Sequence, residues 1–522
     1  MKTKLLLFLL PVLILKINAQ QKIFDFSSNP TSFTKFNNNI FFEASKEETG
    51  YEIWKSNGTT ENTALLLNMN VPLGYNANKI LSTGSTVLGG KLFFIARDNK
   101  SRGEIWKTDG ISETVKVTDF INGRVEKLTV VGNSIYFLMK TSNYVLQVWK
   151  TDGTKEGTVL VKDNLPIWNK PTFEGKCNGL FMFTFQVVGT SNSRLWRSDG
   201  TSEGTFPISE EMDGNGSGPG GTASFTQYIE NGNKLYFVTR NYMFETDGTS
   251  ENTRNIGSLW FGLANYSDVI EANGNLYFMF YSADSYLLQI SKFGLNDKKI
   301  TLVYSKQGQK YFYPSNLIKK DNSLIFCGPN SEFGTSLQKM NLDDYAISNE
   351  EELSHDAKES IAFLGYQNAA IIFNINENEY FVTTGINEKD EKAGYIYNNN
   401  LQTIEKVDAL YNVWDAISFN NSLYYSKDNK LWKYANNLSI PVIENKSSLS
   451  FYPNPSSDFI NVKADNDVRF ESFQIFDLNG RMIIGEEFGL NDKIDISKLS
   501  QGAYLLKAKV NGTLISKKII KK

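Results

Sequence analysis

The residues whose types and spacing most suggest chemistry lie in a glycine-rich stretch, 213–221. Asp213, Asn215 and Ser217 stand at alternate positions and a glycine follows them, which is the spacing of the first oxygen ligands in a calcium loop. The match ends there, because the twelfth position is Ser224, where such a loop carries a bidentate glutamate. The stretch therefore indicates either a calcium site or a metal-free surface loop, and calcium is the one cofactor with a candidate site.

Two further sets of residues recur along the chain. An aspartate before glycine could suggest more calcium sites, but a carboxylate in such a turn is explained by turn geometry. A tryptophan at a fixed repeat position could stack on sugars, but such a residue is more typical of packing between repeats. A binding site is expected where the repeats differ, because binding residues lie on loops that a regular frame positions. The two sets are Asp109, Asp152, Asp199 and Asp247, and Trp54, Trp106, Trp149 and Trp196.

Catalytic groups have weak support. His355 is the one histidine of the sequence, which excludes sites that need two and gives no context for a catalytic triad. Glycoside hydrolysis needs two carboxyl groups flanking one bond, and the acidic stretch 343–356 has no spacing that selects such a pair. Cys177 and Cys327 are either two buried thiols or one bridge. No catalytic residue is predicted.

Charge and the N-terminus restrict the partners and the compartment. Lys and Arg number 54 against 57 Asp and Glu, which argues against a nucleic-acid partner because such a partner requires clustered positive charge.

Lys2 and Lys4 precede the apolar run Leu5–Leu15, a pattern typical of a secretory signal peptide, with cleavage expected between Ala19 and Gln20. No later apolar run is long enough for a transmembrane segment in the mature chain.

An aliphatic residue followed by aromatic residues recurs nine times, on average about every 48 residues, and repeats of this length with several strands each are typical of β-propeller blades. In five repeats the next strand ends in a signature with Asp-Gly or Asn-Gly, which favours a tight turn. The nine copies are Ile40–Phe42, Leu92–Phe94, Ile135–Phe137, Leu180–Phe183, Leu235–Phe237, Leu276–Phe278, Leu324–Phe326, Tyr380–Val382 and Leu423–Tyr425, and the signatures span Glu52–Thr59, Glu104–Gly110, Gln147–Thr154, Leu195–Thr201 and Met243–Thr249.

One strand before the aromatic strand and one after the signature complete a four-stranded unit. The sequence thus predicts an all-β propeller of eight or nine four-stranded blades, with seven as the lower alternative. Residues 22–26 are expected to supply the outer strand of the last blade, because closing the ring leaves no free sheet edge. The signature resembles that of secreted bacterial proteins with tandem ELWxTDGT, or hyalin-like, repeats, and this resemblance also implies a β-propeller.

The C-terminal residues 446–522 resemble a type A sorting domain of the type IX secretion system. Alternating strands and Asn-Gly turns in this segment predict a small antiparallel β-sandwich. The resemblance implies that the outer-membrane secretion machinery reads this domain, so that the protein crosses the periplasm and outer membrane to the cell surface or the medium. The motif residues that carry it are Tyr452, Pro453, Asn454, Pro455, Gly480, Gly502, Tyr504, Lys517 and Lys518.

The sequence therefore divides into a signal peptide (1–19), a propeller (20–445) and a sorting domain (446–522). The favoured function is a secreted or cell-surface binding or adhesion protein whose propeller binds an extracellular glycan or protein. The alternatives are a carbohydrate-active hydrolase and a structural spacer without a ligand.

Overall fold

The computed structural model describes most of the chain between residues 19 and 522. The described ranges are 19–68, 84–96, 103–111, 113–120, 123–125, 127–141, 145–165, 173–186, 192–212, 227–238, 242–258, 266–282, 285–308, 316–329, 335–354, 371–376, 379–386, 392–399, 403–435, 450–463, 470–476, 482–488, 493–510 and 513–522. The chain divides into two compact units, Gln20–Tyr434 and a C-terminal unit from Ala435 to Lys522. A search of the described ranges gives no helix that could span a membrane.

The described residues of the first unit form nine antiparallel sheets that follow one another along the chain, which confirms the all-β prediction. Eight sheets have four strands, and the third has five because its first strand is split into two pieces that pair with the same neighbour. In sheets 1 to 8 the strands follow chain order. The predicted aromatic strand is the second of each sheet, and in sheets 1 to 5 each signature covers the end of the third strand and the start of the turn after it.

Strand bounds in sheets 1 to 5 are as follows, after the N-terminal strand β1 (Ala19–Asp25). Sheet 1 contains β2 (Thr31–Phe36), β3 (Asn39–Lys46), β4 (Gly50–Ser56) and β5 (Ala64–Leu67); sheet 2 contains β6 (Thr86–Leu88), β7 (Lys91–Ala96), β8 (Glu104–Thr108) and β9 (Thr114–Lys116); sheet 3 contains β10 (Gly123–Val125), β11 (Thr129–Val131), β12 (Ser134–Thr141), β13 (Leu146–Thr151) and β14 (Val159–Leu165); sheet 4 contains β15 (Phe173–Cys177), β16 (Leu180–Gln186), β17 (Ser193–Ser198) and β18 (Phe206–Pro207); sheet 5 contains β19 (Gln227–Asn231), β20 (Lys234–Val238), β21 (Tyr242–Thr246) and β22 (Arg254–Ser258).

The remaining sheets of this unit are built in the same way, and a 3₁₀ turn spans Asp408–Leu410. Sheet 6 contains β23 (Tyr266–Ala272), β24 (Asn275–Ser282), β25 (Leu287–Gly294) and β26 (Ile300–Gln307); sheet 7 contains β27 (Ile318–Lys320), β28 (Ser323–Pro329), β29 (Thr335–Asn341) and β30 (Ile347–Ser354); sheet 8 contains β31 (Ile371–Asn374), β32 (Glu379–Ile386), β33 (Lys392–Asn398) and β34 (Thr403–Lys406); sheet 9 contains β35 (Asp415–Phe419), β36 (Ser422–Lys427), β37 (Lys430–Ala435) and, as its fourth strand, β1.

The order of packing between the sheets is cyclic. Each sheet shares a cluster of buried apolar side chains with the next, from sheets 1 and 2 through to sheets 8 and 9. A further cluster joins sheet 9 back to sheet 1 and includes Ile23, Trp54 and Tyr424. Because β1 pairs with β37, the prediction that the N-terminal strand completes the last sheet is confirmed.

The described residues of the C-terminal unit form seven strands in two sheets. One sheet has the order β38-β39-β42, and the other has the order β41-β40-β43-β44. Side chains from both sheets, among them Ile460, Ile494, Ile475 and Leu506, form one buried cluster, so this unit is the predicted β-sandwich. Its strands are β38 (Ser450–Tyr452), β39 (Phe459–Lys463), β40 (Phe470–Phe476), β41 (Met482–Phe488), β42 (Lys493–Asp495), β43 (Gly502–Val510) and β44 (Thr513–Lys521).

Candidate functional site

The signature aspartates hold the turn between the third and fourth strands. Asp152 Oδ1 accepts hydrogen bonds from the Thr154 N–H at 2.8 Å and the Thr154 hydroxyl at 2.7 Å. These bonds, the hydroxyl bond first, lower the pKa of Asp152. Gly153 adopts a φ of 92°, a conformation that favours glycine. Asp109, Asp199 and Asp247 accept the equivalent backbone bonds from Ile111, Thr201 and Thr249.

Side chains from the preceding sheet also contact the signature glycine. Lys150 of sheet 3 donates to the Gly200 carbonyl of sheet 4 at 2.9 Å, and the Tyr136 hydroxyl lies where a side chain on Gly200 would be. The signature therefore locks neighbouring sheets together, and its lysine or arginine is the donor. The same donation joins Lys55 to Gly110, Lys107 to Gly153 and Arg197 to Gly248.

The four signature tryptophans pack within the sheets instead of forming a binding surface. Trp54 is buried and donates from Nε1 to the Ala44 carbonyl at 3.1 Å. Trp149 stacks on Phe137 with ring centroids 6.4 Å apart. Trp106 and Trp196 are partly buried and pack against the apolar clusters of their sheets. These contacts agree with the packing interpretation.

Several residues discussed in the sequence analysis lie outside the described residues. They include the candidate calcium ligands Asp213, Asn215 and Ser217, together with His355 and residues 1–18 of the predicted signal peptide. Ala19 and the exposed Gln20, the expected cleavage pair, begin β1. Both cysteines are buried, free thiols. Within the described ranges, no group of three or more acidic, histidine or cysteine side chains could hold a metal.

The nine sheets have two edges of different character. At the regular edge, one turn connects the first strand to the second and another connects the third strand to the fourth. The turn between the first and second strands has two residues in eight of the nine sheets. At the variable edge, second strands lead to third strands and fourth strands lead to the next sheet. The connections at the variable edge differ widely in length. The connection 428–429 is short, whereas the connections 68–85, 208–226 and 355–370 are long. Variation among repeats is therefore concentrated at the variable edge.

The first strands of several neighbouring sheets contact one another, for example β2 with β35 and β23 with β27, and polar side chains near their variable-edge ends join the sheets. Asp268 accepts from the Leu317 N–H at 2.6 Å, Asn316 from the Ile372 N–H at 3.0 Å and Asp415 from the Ser32 N–H at 2.8 Å. The last of these bonds joins sheet 9 to sheet 1. These three residues are not among the site residues predicted from the sequence, although each is an Asp or Asn two positions before an isoleucine.

Asp268 allows a test of this bond and its pH dependence. Burial raises the pKa of Asp268 above its ordinary value of 3.8, although the Leu317 and Val269 N–H groups oppose the shift. The native state therefore retains the proton at a pH where the unfolded state has lost it, so the stabilisation from this group is lost as pH rises through the native pKa. We expect Asp268→Asn, which keeps an oxygen acceptor, to gain stability relative to the parent chain between about pH 4 and pH 7.

Asp268→Ala serves as the comparison, because it removes the acceptor from the buried Leu317 N–H and should lose about 1–3 kcal/mol. Urea unfolding midpoints at both pH values measure these differences. A constant difference between Asp268→Asn and the parent chain at the two pH values would contradict the expected proton linkage.

In the C-terminal unit, the predicted motif residues bring its two ends together. Asn454 accepts from the Ile520 N–H at 2.8 Å, and the Ser456 N–H donates to the Ile520 carbonyl at 2.9 Å. Tyr452 is exposed, and Pro453 and Pro455 flank Asn454 in the same segment. The motif residues of the last strand pair are placed by register: Gly502 opposite Lys521, Tyr504 opposite Ile519, and Lys517 and Lys518 opposite Leu506 and Leu505. Gly480 is outside the described residues.

A family model described as the secretion system C-terminal sorting domain matches residues 450–522. The chain therefore carries a type IX secretion sorting domain, which indicates export to the cell surface or the extracellular space. No curated protein was found to match the sequence.

Among solved structures, the chain is similar to puromycin hydrolase, with 10% identity, a TM-score of 0.36, and coverage of 69% of this chain and 59% of that chain. It is similar to a Mycobacterium tuberculosis puromycin-hydrolyzing peptidase, with 8% identity, a TM-score of 0.37, and coverage of 69% and 58%. A structure from a study of two prolyl endopeptidases has 10% identity, a TM-score of 0.37, and coverage of 73% and 55%. The chain spans less than two-thirds of each of these proteins.

Proposed function

We propose that this chain is an exported binding protein in which sheets 1 to 9 form a closed nine-bladed β-propeller of ELWxTDGT-type repeats that presents a ligand site. Closure is supported by the cyclic order of apolar clusters, by β1 in the last sheet and by the bond from Ser32 to Asp415. The sorting domain accounts for export, and the propeller supplies the activity outside the cell. The ligand is an extracellular glycan or protein.

The observation that carries this proposal is the contrast between the two edges. The regular edge consists of short turns, and its signature side chains bond to their own turn or to the next sheet. The connections between the strands that meet at the variable edge differ in length, and in the sequence the candidate calcium loop, which is outside the described residues, falls between β18 and β19. A rigid frame with variation concentrated at one edge is the arrangement in which loops carry recognition.

Catalysis has less support. Of the carboxyl groups in the described ranges, Glu104 and Asp268 have a raised pKa, in both cases because of burial. They lie in sheets 2 and 6, and each accepts a backbone N–H bond, Glu104 from Phe120 at 2.6 Å and Asp268 from Leu317. Both carboxyls thus serve the structure, whereas glycoside hydrolysis needs two carboxyls flanking one bond.

Two exposed apolar side chains at opposite edges provide the test. Trp414, 62% exposed, immediately precedes β35 at the variable edge, whereas Ile111, 79% exposed, lies in a signature turn at the regular edge. We expect the full chain to bind at least one ligand on glycan and protein arrays, and Trp414→Ala to weaken that binding by about tenfold because exposed tryptophans are frequent binding hot spots. Ile111→Ala should bind like the parent chain.

The array experiment also separates the alternatives. Equal loss in both variants, or loss in Ile111→Ala alone, would contradict binding at the variable edge. Silence on both arrays without hydrolysis of pooled polysaccharides would favour the structural spacer, and release of reducing ends from those polysaccharides would favour the hydrolase.

A further inference from the structure

Tyr228 is an exposed aromatic residue of sheet 5. It lies in β19, the first strand of sheet 5, close to the end of that strand at the variable edge, and 37% of the residue is exposed. Phe173, buried in the first strand of sheet 4, meets the Tyr228 ring in a T-shaped contact with centroids 4.6 Å apart. The Tyr228 ring is therefore held in one orientation while part of its surface remains in contact with solvent.

Lys127 of sheet 3 reaches the same ring across sheet 4. Its Nζ lies 3.4 Å from the Tyr228 hydroxyl and 5.7 Å from the ring centroid, and it also donates to the Glu174 carbonyl at 2.5 Å. An ammonium group has three N–H donors, so two contacts leave one donor for a further partner. Gly175 leaves room for the Phe173 ring, because a Cβ there would lie 2.7 Å from Phe173 Cζ and 3.6 Å from the Tyr228 ring.

Trp414 is a second exposed aromatic at the variable edge, in sheet 9. Its backbone N–H donates to the Ser426 carbonyl at 2.9 Å, and the next N–H, of Asp415, donates to the Ser426 hydroxyl at 3.1 Å. The backbone is thus fixed on the sheet while the indole is presented to solvent. Neither Tyr228 nor Trp414 belongs to the repeated signature, so both occupy positions where the repeats differ.

We infer that Tyr228 and Trp414 are stacking platforms for sugar rings of a glycan chain, with Lys127 as a hydrogen-bond donor to a hydroxyl of the sugar on Tyr228. This inference rests on the proposed binding function and names its ligand class. A sugar ring has a C–H face that packs on an aromatic face and a rim of hydroxyls that needs polar partners.

The arrangement of the two rings favours a glycan over a folded protein. A protein partner typically buries about 800 Å² of continuous surface on each side. Tyr228 and Trp414 instead lie in the fifth and ninth sheets, and Lys127 supplies a hydrogen-bond donor beside Tyr228. An extended polymer that presents the same amphipathic ring repeatedly can use two separate platforms.

Affinity electrophoresis of the full chain through gels containing laminarin, xylan, pectin or hydroxyethyl cellulose tests this inference. We expect at least one polysaccharide to retard the parent chain. Tyr228→Leu, which keeps an apolar contact for Phe173 but removes the flat ring, and Trp414→Ala should each weaken that binding about tenfold. Tyr228→Phe, which keeps the ring and loses the hydroxyl, should lose less than about threefold. Ile111→Ala is the matched control and should bind normally.

The possible failures are distinguishable from one another. Absence of retardation by all four polysaccharides and of binding on the glycan array would overturn the glycan inference, while a protein-array signal that depends on Trp414 would leave the proposed binding function standing. Retardation that neither Tyr228→Leu nor Trp414→Ala weakens would also overturn it. Thermal melting of each variant must match the parent chain, so that a loss of binding reports the platform and not the fold.

Discussion

Gly58→Ala is expected to lower the free energy of unfolding of the Gln20–Tyr434 unit by about 2–4 kcal/mol. Gly58 has a φ of 93°, which costs a residue with a side chain about 1–2 kcal/mol. A Cβ at this position would overlap the Tyr424 hydroxyl and lie 2.6 Å from Tyr424 Cζ, and overpacking of this kind adds about 1–3 kcal/mol. Because Gly58 is in sheet 1 and Tyr424 in sheet 9, the substitution acts where the cycle of sheets closes.

Gly179→Ala is the matched control for backbone strain alone. Its φ is 75° and a Cβ there would meet nothing within 4 Å, so the expected loss is about 1 kcal/mol. Tyr424→Phe introduced together with Gly58→Ala removes the overlapping hydroxyl and should restore part of the stability. Urea unfolding followed by tryptophan fluorescence measures all three variants. Equal losses for Gly58→Ala and Gly179→Ala would show that Tyr424 does not pack against Gly58.

Ile23→Ala should destabilise the same unit by about 2–4 kcal/mol, the usual cost of truncating a fully buried isoleucine. Ile23 is 1% exposed in β1 and belongs to the apolar cluster shared by sheets 9 and 1. Its backbone carbonyl accepts a hydrogen bond from the Thr60 hydroxyl of sheet 1 at 2.9 Å. The N-terminal strand therefore both completes sheet 9 and covers the junction with sheet 1.

The neighbouring residue offers a control on the same strand. Lys22 forms an exposed ion pair with Asp25 at 2.8 Å, and exposed pairs contribute about 0–1 kcal/mol, so Lys22→Ala should change stability little. Limited proteolysis adds an independent measurement, because loosening of β1 should expose the N-terminus to cleavage first. If Ile23→Ala unfolded at the same urea concentration as Lys22→Ala, the N-terminal strand would not be part of the cooperative fold.

The sequence predicted the sheets well because their signals are local. Asn-Gly and Asp-Gly pairs mark turns where glycine takes a positive φ, as Gly153 and Gly248 do, and the aromatic strand lies second in each sheet because its side chains alternate into the cores on both sides. The two buried cysteines were left undecided by their spacing, and they proved to be free thiols.

The candidate binding residues could not be found in the same way. Trp54 and Trp414 are both tryptophans near a strand, yet the first is buried and the second is mostly exposed. Exposure depends on which sheet lies beside the residue, and that sheet comes from a distant part of the chain. Tyr228 gave no signal either, since its partner Lys127 lies about 100 residues earlier in the sequence and two sheets away.

By itself, the sequence determined the strand and turn pattern of each sheet and the export address in residues 450–522, because hydrogen-bonded turns and a contiguous sorting motif depend on neighbouring residues. Only the tertiary structure decided that there are nine sheets, that Asp415 meets Ser32 and that Tyr228 and Trp414 face solvent. These features arise from contacts between distant residues, such as Ser32 and Asp415, which lie 383 positions apart, and burial is a property of that packed arrangement and not of any short segment.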